Sequence, residues 1–360
     1  MSGLDGSETS RVSEAEIAAM YGAAELAWQA VGSTSPNPPV AAIVLDPDGH
    51  RVGAGVTQPP GGPHAEVAAL AEAGTAARGG TAVVTLEPCN HTGRTGPCTD
   101  ALIEAGVARV VYAVTDPNPV AAGGAARLAA AGVQVVAGVL EDEMARGALR
   151  YWLHGVATAR PFVTWKFAAT LDGRSAAADG TSRWITNAVS RADVHQLRAQ
   201  VDAIVVGSGT VLADDPRLTV RTTDDSGADV LAERQPLRVV LDRRHRVRPD
   251  AQIFDDAAET VRLDTAVPRF ALKALFDRGI RHILLEGGPT LAGAFLEAGL
   301  IDEVVAYLAP TLLGAGPAAL TETGIATLAD AVTLVDVVVS QLGDDVKVVG
   351  RPRRSDDQEA

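Results

Sequence analysis

The chain's only two cysteines, Cys89 and Cys98, bracket the stretch Glu87-Pro88-Cys89-Asn90-His91-Thr92-Gly93-Arg94-Thr95-Gly96-Pro97-Cys98, and upstream stands His64-Ala65-Glu66. One imidazole and two thiolates are a donor set suited to zinc, and three protein ligands leave the fourth tetrahedral position open to water. That open position separates a catalytic zinc from a structural one. Zinc lowers the pKa of its water, which makes a nucleophile available near neutral pH. Glu66 cannot comfortably share the metal with His64 at this spacing, but it can reach the water and carry its proton to a leaving group. The chemistry implied is hydrolytic. Two alternatives use the same residues: a Cys89–Cys98 disulfide, or a closed structural zinc with His91 as fourth ligand and Glu66 idle.

Elements must position these groups. Ser13 with Glu16 is a capping-box pattern and predicts a helix over 13–31, with Ile17, Met20, Tyr21, Ala24 and Trp28 on one face and Gly32 as its stop. Strands are expected over 40–45, 51–57, 81–86, 109–114 and 133–136, and helices over 64–73, 98–105 and 121–131. Such alternation implies an open, layered α/β/α sheet. His64 and Cys98 then each stand at the start of a helix, where the partial positive charge favours a thiolate.

With 360 residues, two domains are expected. A 47% hydrophobic and 21% charged composition is that of an ordinary globular protein. No apolar run reaches the ~18 residues that span a bilayer, so no membrane partner is implied. The net charge of −14 argues against nucleic acid as a partner, although local arginines can still reverse the field inside a cleft. Residues 1–13 are polar and contain acids, without the layout of a secretion signal, and read as a disordered leader of a cytoplasmic protein. Residues 222–235 read as an acidic surface loop, and residues 351–360 as a flexible tail.

The first domain is expected over 14–150 and the second over 151–350, with a single helix over 141–153 near the junction. The second half repeats the α/β alternation: strands over 162–169, 203–206, 237–242, 282–286 and 304–309, helices over 190–200, 271–278 and 290–298. Val205-Val206-Gly207-Ser208-Gly209-Thr210-Val211-Leu212 lacks the third glycine of a dinucleotide fingerprint. The strand ending at Glu286 and then Gly287-Gly288-Pro289-Thr290 is the better phosphate cradle, because its backbone amides can approach an anion at a helix start.

An H-x-E followed by P-C and a second Cys is the zinc-deaminase signature. Eight residues separate the cysteines here, more than the two of cytidine and adenosine deaminases. That longer insert, together with Ser35-Pro36-Asn37-Pro38, Gly62-Pro63-His64-Ala65-Glu66-Val67 and Asp116-Pro117-Asn118-Pro119, resembles the bifunctional riboflavin-biosynthesis deaminase/reductase family. The resemblance continues through Lys166-Phe167-Ala168-Ala169-Thr170-Leu171-Asp172-Gly173, Trp184-Ile185-Thr186, Thr210-Val211-Leu212-Ala213-Asp214-Asp215-Pro216 and Glu286-Gly287-Gly288-Pro289-Thr290-Leu291, and covers residues 14 to 350 in order. Three positions depart from the family: Ala41 for a usual Gly, Gly96 for a usual Pro and Asn90 for a frequent Ser.

The resemblance implies an N-terminal cytidine-deaminase-like α/β/α domain and a C-terminal dihydrofolate-reductase-like α/β domain. It implies Zn2+ on His64, Cys89 and Cys98, with Glu66 as the catalytic acid–base. The implied substrate is a phosphorylated pyrimidine, 2,5-diamino-6-ribosylamino-4(3H)-pyrimidinone 5′-phosphate, held in the deaminase site by Asn37 and His91. The second domain would then reduce ribosyl to ribityl with NADPH. Matched cofactor positions are Ala168, Trp184, Thr210, Asp214 and the run Gly288, Pro289, Thr290, Leu291, Ala292, Gly293 and Ala294. Matched substrate positions are Ser182, Arg198, Leu218, Arg221 and Glu286, with Arg198 and Arg221 suited to the ribose phosphate. Lys166 and Asp214 are candidates for proton delivery to the sugar. A homodimer or larger homo-oligomer is the expectation for such an enzyme.

Overall fold

In the computed structural model, which describes residues 11–92, 96–223, 228–321 and 323–354, Ser13 caps the first helix reciprocally with Glu16. Ser13 Oγ accepts the Glu16 N–H at 3.2 Å, and Glu16 Oε2 accepts the Ser13 N–H at 2.7 Å. This helix, α1 (Glu14–Ala27), opens the first of two units, Met1–Ala159. There follow β1 (Ala41–Leu45), β2 (Arg51–Val56), α2 (Ala65–Ala73), β3 (Thr81–Leu86), α3 (Cys98–Ala105), β4 (Arg109–Val114), α4 (Gly124–Ala130), β5 (Gln134–Val136), α5 (Glu141–Arg146) and α6 (Arg150–Thr158). The sheet order is β2-β1-β3-β4-β5; β1 runs antiparallel to both neighbours, and β3, β4 and β5 are parallel. The strands β1, β3 and β4 are apolar runs buried almost throughout, as strands covered on both faces must be.

Three expectations for this unit change. The helix α1 ends at Ala27, and three-residue turns carry the chain on to Gly32, whose φ is 80°. Its buried face is Glu16, Ala19, Met20, Ala23 and Ala27, whereas Ile17, Tyr21 and Trp28 are exposed. Small alanines let the helix lie close to the sheet, which pushes the bulky side chains to its rim. The single helix expected over 141–153 is two, broken at Gly147, which caps α5 with ψ −140°. Tyr151 of α6 packs edge-on against Trp28, with ring centroids 6.5 Å apart, so α6 stays with the first unit and the division falls after it.

Close approach fixes α2, the helix that follows His64. A Cβ on Gly55 of β2 would lie 2.5 Å from the Ala65 carbonyl oxygen, and one on Gly53 would lie 2.3 Å from that of Ala69. Glycines at both positions let the helix rest directly on the strand.

The second unit, Arg160–Ala360, contains β6 (Phe162–Thr170), α7 (Ala188–Ala199), β7 (Ala203–Gly207), α8 (Ser208–Asp214), β8 (Arg221–Thr223), β9 (Asp229–Leu231), β10 (Leu237–Leu241) and β11 (Thr260–Leu263). It continues with α9 (Pro268–Asp277), β12 (His282–Leu285), α10 (Pro289–Glu297), β13 (Glu303–Ala309), β14 (Thr333–Leu342) and β15 (Asp345–Arg353). Its main sheet runs β11-β10-β7-β12-β6-β13-β15-β14. The first six strands are parallel, and β15 and β14 pair antiparallel beyond them. Both faces are covered: Ile283 and Leu285 join a core with Phe295 and Leu275, and Leu284 between them joins one with Val201 and Ile253.

The C-terminal hairpin of β14 and β15 was not anticipated. Alternation in β14 breaks where Asp336 takes φ 51° and the register shifts between Val335 and Val338. The tail expected to be flexible from residue 351 instead completes β15 through Arg353, and Arg351 pairs with Asp336. Residues 355–360 of that tail, and 1–10 of the expected leader, lie outside the described residues. The acidic stretch expected as loop carries the paired strands β8 and β9; its residues 224–227 are also outside the described set.

Candidate functional sites

His64 is the N-cap of α2, with extended backbone, and its ring is not used in capping. Cys98 is the first residue of α3, and Cys89 lies in the loop after β3. The loop folds back on the helix start: the Cys98 N–H points at Cys89 Sγ at 3.5 Å, and the Thr99 N–H donates to the Cys89 carbonyl at 3.3 Å. His64 Nδ1 stands 3.2 Å from Cys98 Sγ and 3.6 Å from Cys89 Sγ. All three donor atoms lie within 4.8 Å of one another. Zinc–nitrogen and zinc–sulfur bonds at a tetrahedral angle place N and S about 3.6 Å apart, so the donor set fits that ion. Both cysteines are free thiols, which disfavours a disulfide, and His91 is not part of the cluster.

The electrostatics agree with a cation site. A hydrogen bond from Cys98 draws Cys89 down to about 4, against the cost of burial, and His64 assists. The same Cys98–Cys89 contact, with burial, raises Cys98. A second negative charge therefore requires a cation beside it. Cys89 also raises His64, chiefly through their hydrogen bond. Glu66 is 4% exposed, and burial pushes its carboxyl up to about 7, with the Cys89 charge adding to the rise.

Two positioning residues escaped the sequence reading. Glu87 is buried, and its carboxylate accepts the N–H groups of Asp116 at 3.3 Å and Ala125 at 2.9 Å, tying the loop after β4 and the start of α4 behind Cys89. Gly124 lets α4 approach, since a Cβ there would lie 1.8 Å from the Pro88 carbonyl oxygen. A buried acid inside the Glu87-Pro88-Cys89 motif was the available signal. His91 Nδ1 is buried without a hydrogen-bond partner among the described residues. The Asn37 backbone closes a turn with Thr34, and its side-chain amide makes no hydrogen bond among the described residues. None of the contacts of Asn37 joins it to the cluster. Arg94, in the insert between the cysteines, lies outside the described residues.

In the second unit the expected site residues fall into linked pairs at the C-terminal ends of the parallel strands. Arg198 of α7 donates to both oxygens of Glu286, at 2.6 and 2.9 Å, and to the Thr219 carbonyl at 3.1 Å. Burial alone would raise Glu286, but the Arg198 charge and its hydrogen bonds overcome that and, with Lys166, hold the carboxyl down near 2. The Lys166 ammonium lies 5.9 Å from the Tyr307 ring centre, and burial lowers its pKa. The Gly288 N–H donates to Thr210 Oγ1 at 3.1 Å. Ser182 Oγ donates to Asp214 Oδ1 at 3.4 Å, and Arg183 to the Asp214 carbonyl. The Trp184 ring is 69% exposed, with the Arg191 guanidinium 4.6 Å from its centre. Ala168 is half-buried on β6.

Other residues are differently employed. Leu218 is buried among Val201, Ile204 and Ile253, so packing consumes its side chain. Arg198 is committed to Glu286 and the Thr219 carbonyl, whereas the Arg221 side chain has no partner among the described residues; its backbone N–H donates to His195 Nδ1 at 3.2 Å. Within the run from Gly288, the first turn of α10 holds the unpaired amides: Pro289 has none, while Thr290 and Leu291 follow. Leu291 packs on Gly287, Ala292 and Gly293 are buried, and Ala294 is half-buried. The residues holding α7 in place were not foreseen. Asp193 receives the Tyr307 hydroxyl and the Lys347 ammonium, and Asp345 receives the Asn187 N–H and the Ser190 hydroxyl.

Similarity to known proteins follows the two units. Residues 13–114 match the family model of the cytidine and deoxycytidylate deaminase zinc-binding region, and residues 161–348 match that of the RibD C-terminal domain. The riboflavin biosynthesis protein RibD of Mycobacterium tuberculosis is 52% identical over 91% of this chain and 95% of its own length. That of Escherichia coli is 44% identical over 91% and 96%. Among solved structures, Acinetobacter baumannii RibD has a TM-score of 0.84 at 38% identity, covering 95% of this chain and 99% of the other. A Thermotoga maritima diaminohydroxyphosphoribosylaminopyrimidine deaminase/5-amino-6-(5-phosphoribosylamino)uracil reductase has a TM-score of 0.84 at 34% identity, covering 94% and 99%. With a cytidine-deaminase-like zinc unit followed by a reductase unit, the chain belongs to the RibD family of bifunctional riboflavin-biosynthesis deaminase/reductases.

Proposed function

We propose that the first unit deaminates 2,5-diamino-6-ribosylamino-4(3H)-pyrimidinone 5′-phosphate at His64, Cys89 and Cys98, and that the second reduces the product's ribosyl group to ribityl with NADPH. The observation that carries the reading is the convergence of one imidazole nitrogen and two sulfurs within 4.8 Å, with the Glu66 carboxyl buried alongside. When bound there, zinc supplies Lewis acidity that makes water a competent nucleophile at neutral pH. Glu66 takes a proton from the attacking water on its carboxylate and delivers it to the departing amine, which leaves as ammonia. A buried carboxyl beside the three donors can hold the proton between the two halves of that transfer. His91 Nδ1, buried without a partner among the described residues, and the Asn37 amide, which makes no hydrogen bond among them, are available to the pyrimidine and its substituents.

In the second unit, NADPH supplies the hydride when bound, and the chain orients it and the sugar. The unpaired amides of the first turn of α10 would receive the cofactor phosphates, while the Gly288 N–H, bonded to Thr210 Oγ1, fixes the loop before them. The ion pair of Glu286 and Arg198 frames the sugar beside Lys166, while Arg221 meets the ribose phosphate. Lys166 and Asp214 are the candidate proton donors to the opening sugar. A homodimer or larger closed assembly suits such an enzyme, and a reducing cytoplasm keeps both cysteines available as thiols.

Titration with NADPH tests the second half of this reading. A Cβ on Gly288 would meet only Thr210 Oγ1, at 3.6 Å, so the position accommodates the branch point of Gly288→Val, whose two methyls carry the added bulk. It is expected to weaken NADPH binding about tenfold or more by crowding the phosphates. Failure of the unmodified protein to bind NADPH or NADH would discard the reductase role.

A further inference from the structure

The segment that carries Arg221 emerges abruptly from the core of the second unit. Leu218, Thr219 and Val220 are buried, and Arg221, the first residue of β8, is exposed. Side chains hold this stretch of backbone in place. Arg198 Nη1 donates to the Thr219 carbonyl at 3.1 Å. Gln235 accepts the Val220 N–H at 2.7 Å and donates to the Val220 carbonyl at 2.9 Å. The Arg221 N–H donates to His195 Nδ1 at 3.2 Å. His195 and Arg198 are three residues apart in α7, which places them on one face of the helix. The helix therefore grips the segment on either side of Val220, and Gln235 holds Val220 itself.

The bond to Arg221 defines the state of the imidazole. A backbone N–H can only donate, so His195 Nδ1 carries a lone pair and the ring's proton sits on Nε2. A protonated ring could not hold Arg221. The surroundings keep it neutral: burial lowers the His195 pKa, and the charges of Arg198 and Arg221 lower it further, against Glu286 and Asp229. Beyond this anchor the Arg221 side chain is unpartnered among the described residues. A long, free side chain loses rotamer freedom when it closes on a ligand, and a backbone already fixed leaves less to lose. A guanidinium that is to meet a phosphate through two parallel bonds needs its Cα in one place.

We propose that His195 is a positioning residue of the reductase unit: by holding the Arg221 backbone against α7, it aims the Arg221 guanidinium at the phosphate of the substrate. The inference rests on the reading that Arg221 meets the ribose phosphate, and it adds the residue through which α7 sets that contact. Arg198, already bonded to Glu286, secures the same segment at Thr219 and leaves Arg221 to His195.

Steady-state kinetics of the full zinc-loaded chain test it, with 5-amino-6-(5-phosphoribosylamino)uracil as the varied substrate at saturating NADPH. His195→Leu removes the acceptor and is expected to raise KM about tenfold, with kcat and NADPH affinity within about twofold of the parent. His195→Asn, whose amide oxygen takes the place of Nδ1, should bring KM back to within about threefold of the parent. Arg221→Gln alone should raise KM about tenfold or more. Adding His195→Leu to Arg221→Gln should then change KM by less than about twofold, because two residues that act through one contact are not additive. Parental KM in His195→Leu, beside a raised KM in Arg221→Gln, would overturn the proposal and leave the phosphate reading standing. So would loss of kcat or NADPH affinity in step with KM, or a His195→Asn variant no better than His195→Leu, either of which marks a merely structural role. A full effect of His195→Leu on top of Arg221→Gln would overturn it too, since His195 would then act by another route. If Arg221→Gln itself leaves KM unchanged, the phosphate reading fails and takes the proposal with it.

Discussion

Ammonia release by a Glu66→Gln variant is expected to fall by about 10²–10⁴-fold, the usual worth of a positioned acid–base group, while zinc stays bound. Glutamine keeps the shape of the side chain but can neither take a proton from water nor return one to the departing amine. Glu66 is not one of the three clustered donors, so metal content should be unaffected. Reduction of pre-deaminated substrate by the same variant should match that of the parent, because the reductase residues lie in the second unit. Ammonia release at the parent rate would mean that the metal only staples the loop between Cys89 and the start of α3.

Arg198→Met is expected to cost about 3–5 kcal/mol in the second unit, the range for removing one partner of a buried ion pair. Arg198 and Glu286 are 15% and 8% exposed at the side chain and meet through two hydrogen bonds. The sign of the pH dependence follows from Glu286, held near 2 against an ordinary 4.5. A depressed carboxyl contributes stability that is whole above about pH 4.5 and is lost as pH falls toward 2. Without Arg198, burial drives Glu286 upward, and protonation then relieves the stranded charge. Urea unfolding should therefore show the largest deficit near neutral pH and a smaller one at mildly acidic pH. Adding Glu286→Gln should recover part of the loss. A deficit that does not change with pH would contradict this account of the pair.

The metal cluster was legible because its chemistry is local and its spacing rare. Cys98 opens α3 as expected, and His64 stands one residue before α2 rather than inside it, which leaves its ring unencumbered. What sequence could not convey depends on contacts between distant residues. The buried face of α1 does not follow side-chain bulk, because the sheet admits only alanines, Met20 and the Arg109-paired Glu16. Glu87 and Gly124 support Cys89 only once α4 folds beneath it. Arg198 looked free for a phosphate until α7 brought it onto Glu286 across the unit. The β14–β15 hairpin was hidden by the bulge at Asp336, which breaks the two-residue alternation that marks a strand.

Zinc content of the freshly purified chain tests the central claim most directly. About one zinc per chain is expected from three protein ligands with one open position, and Cys89→Ser should lose it. Fresh protein without zinc, or a Cys89→Ser variant that keeps its full complement, would contradict the site assigned to His64, Cys89 and Cys98.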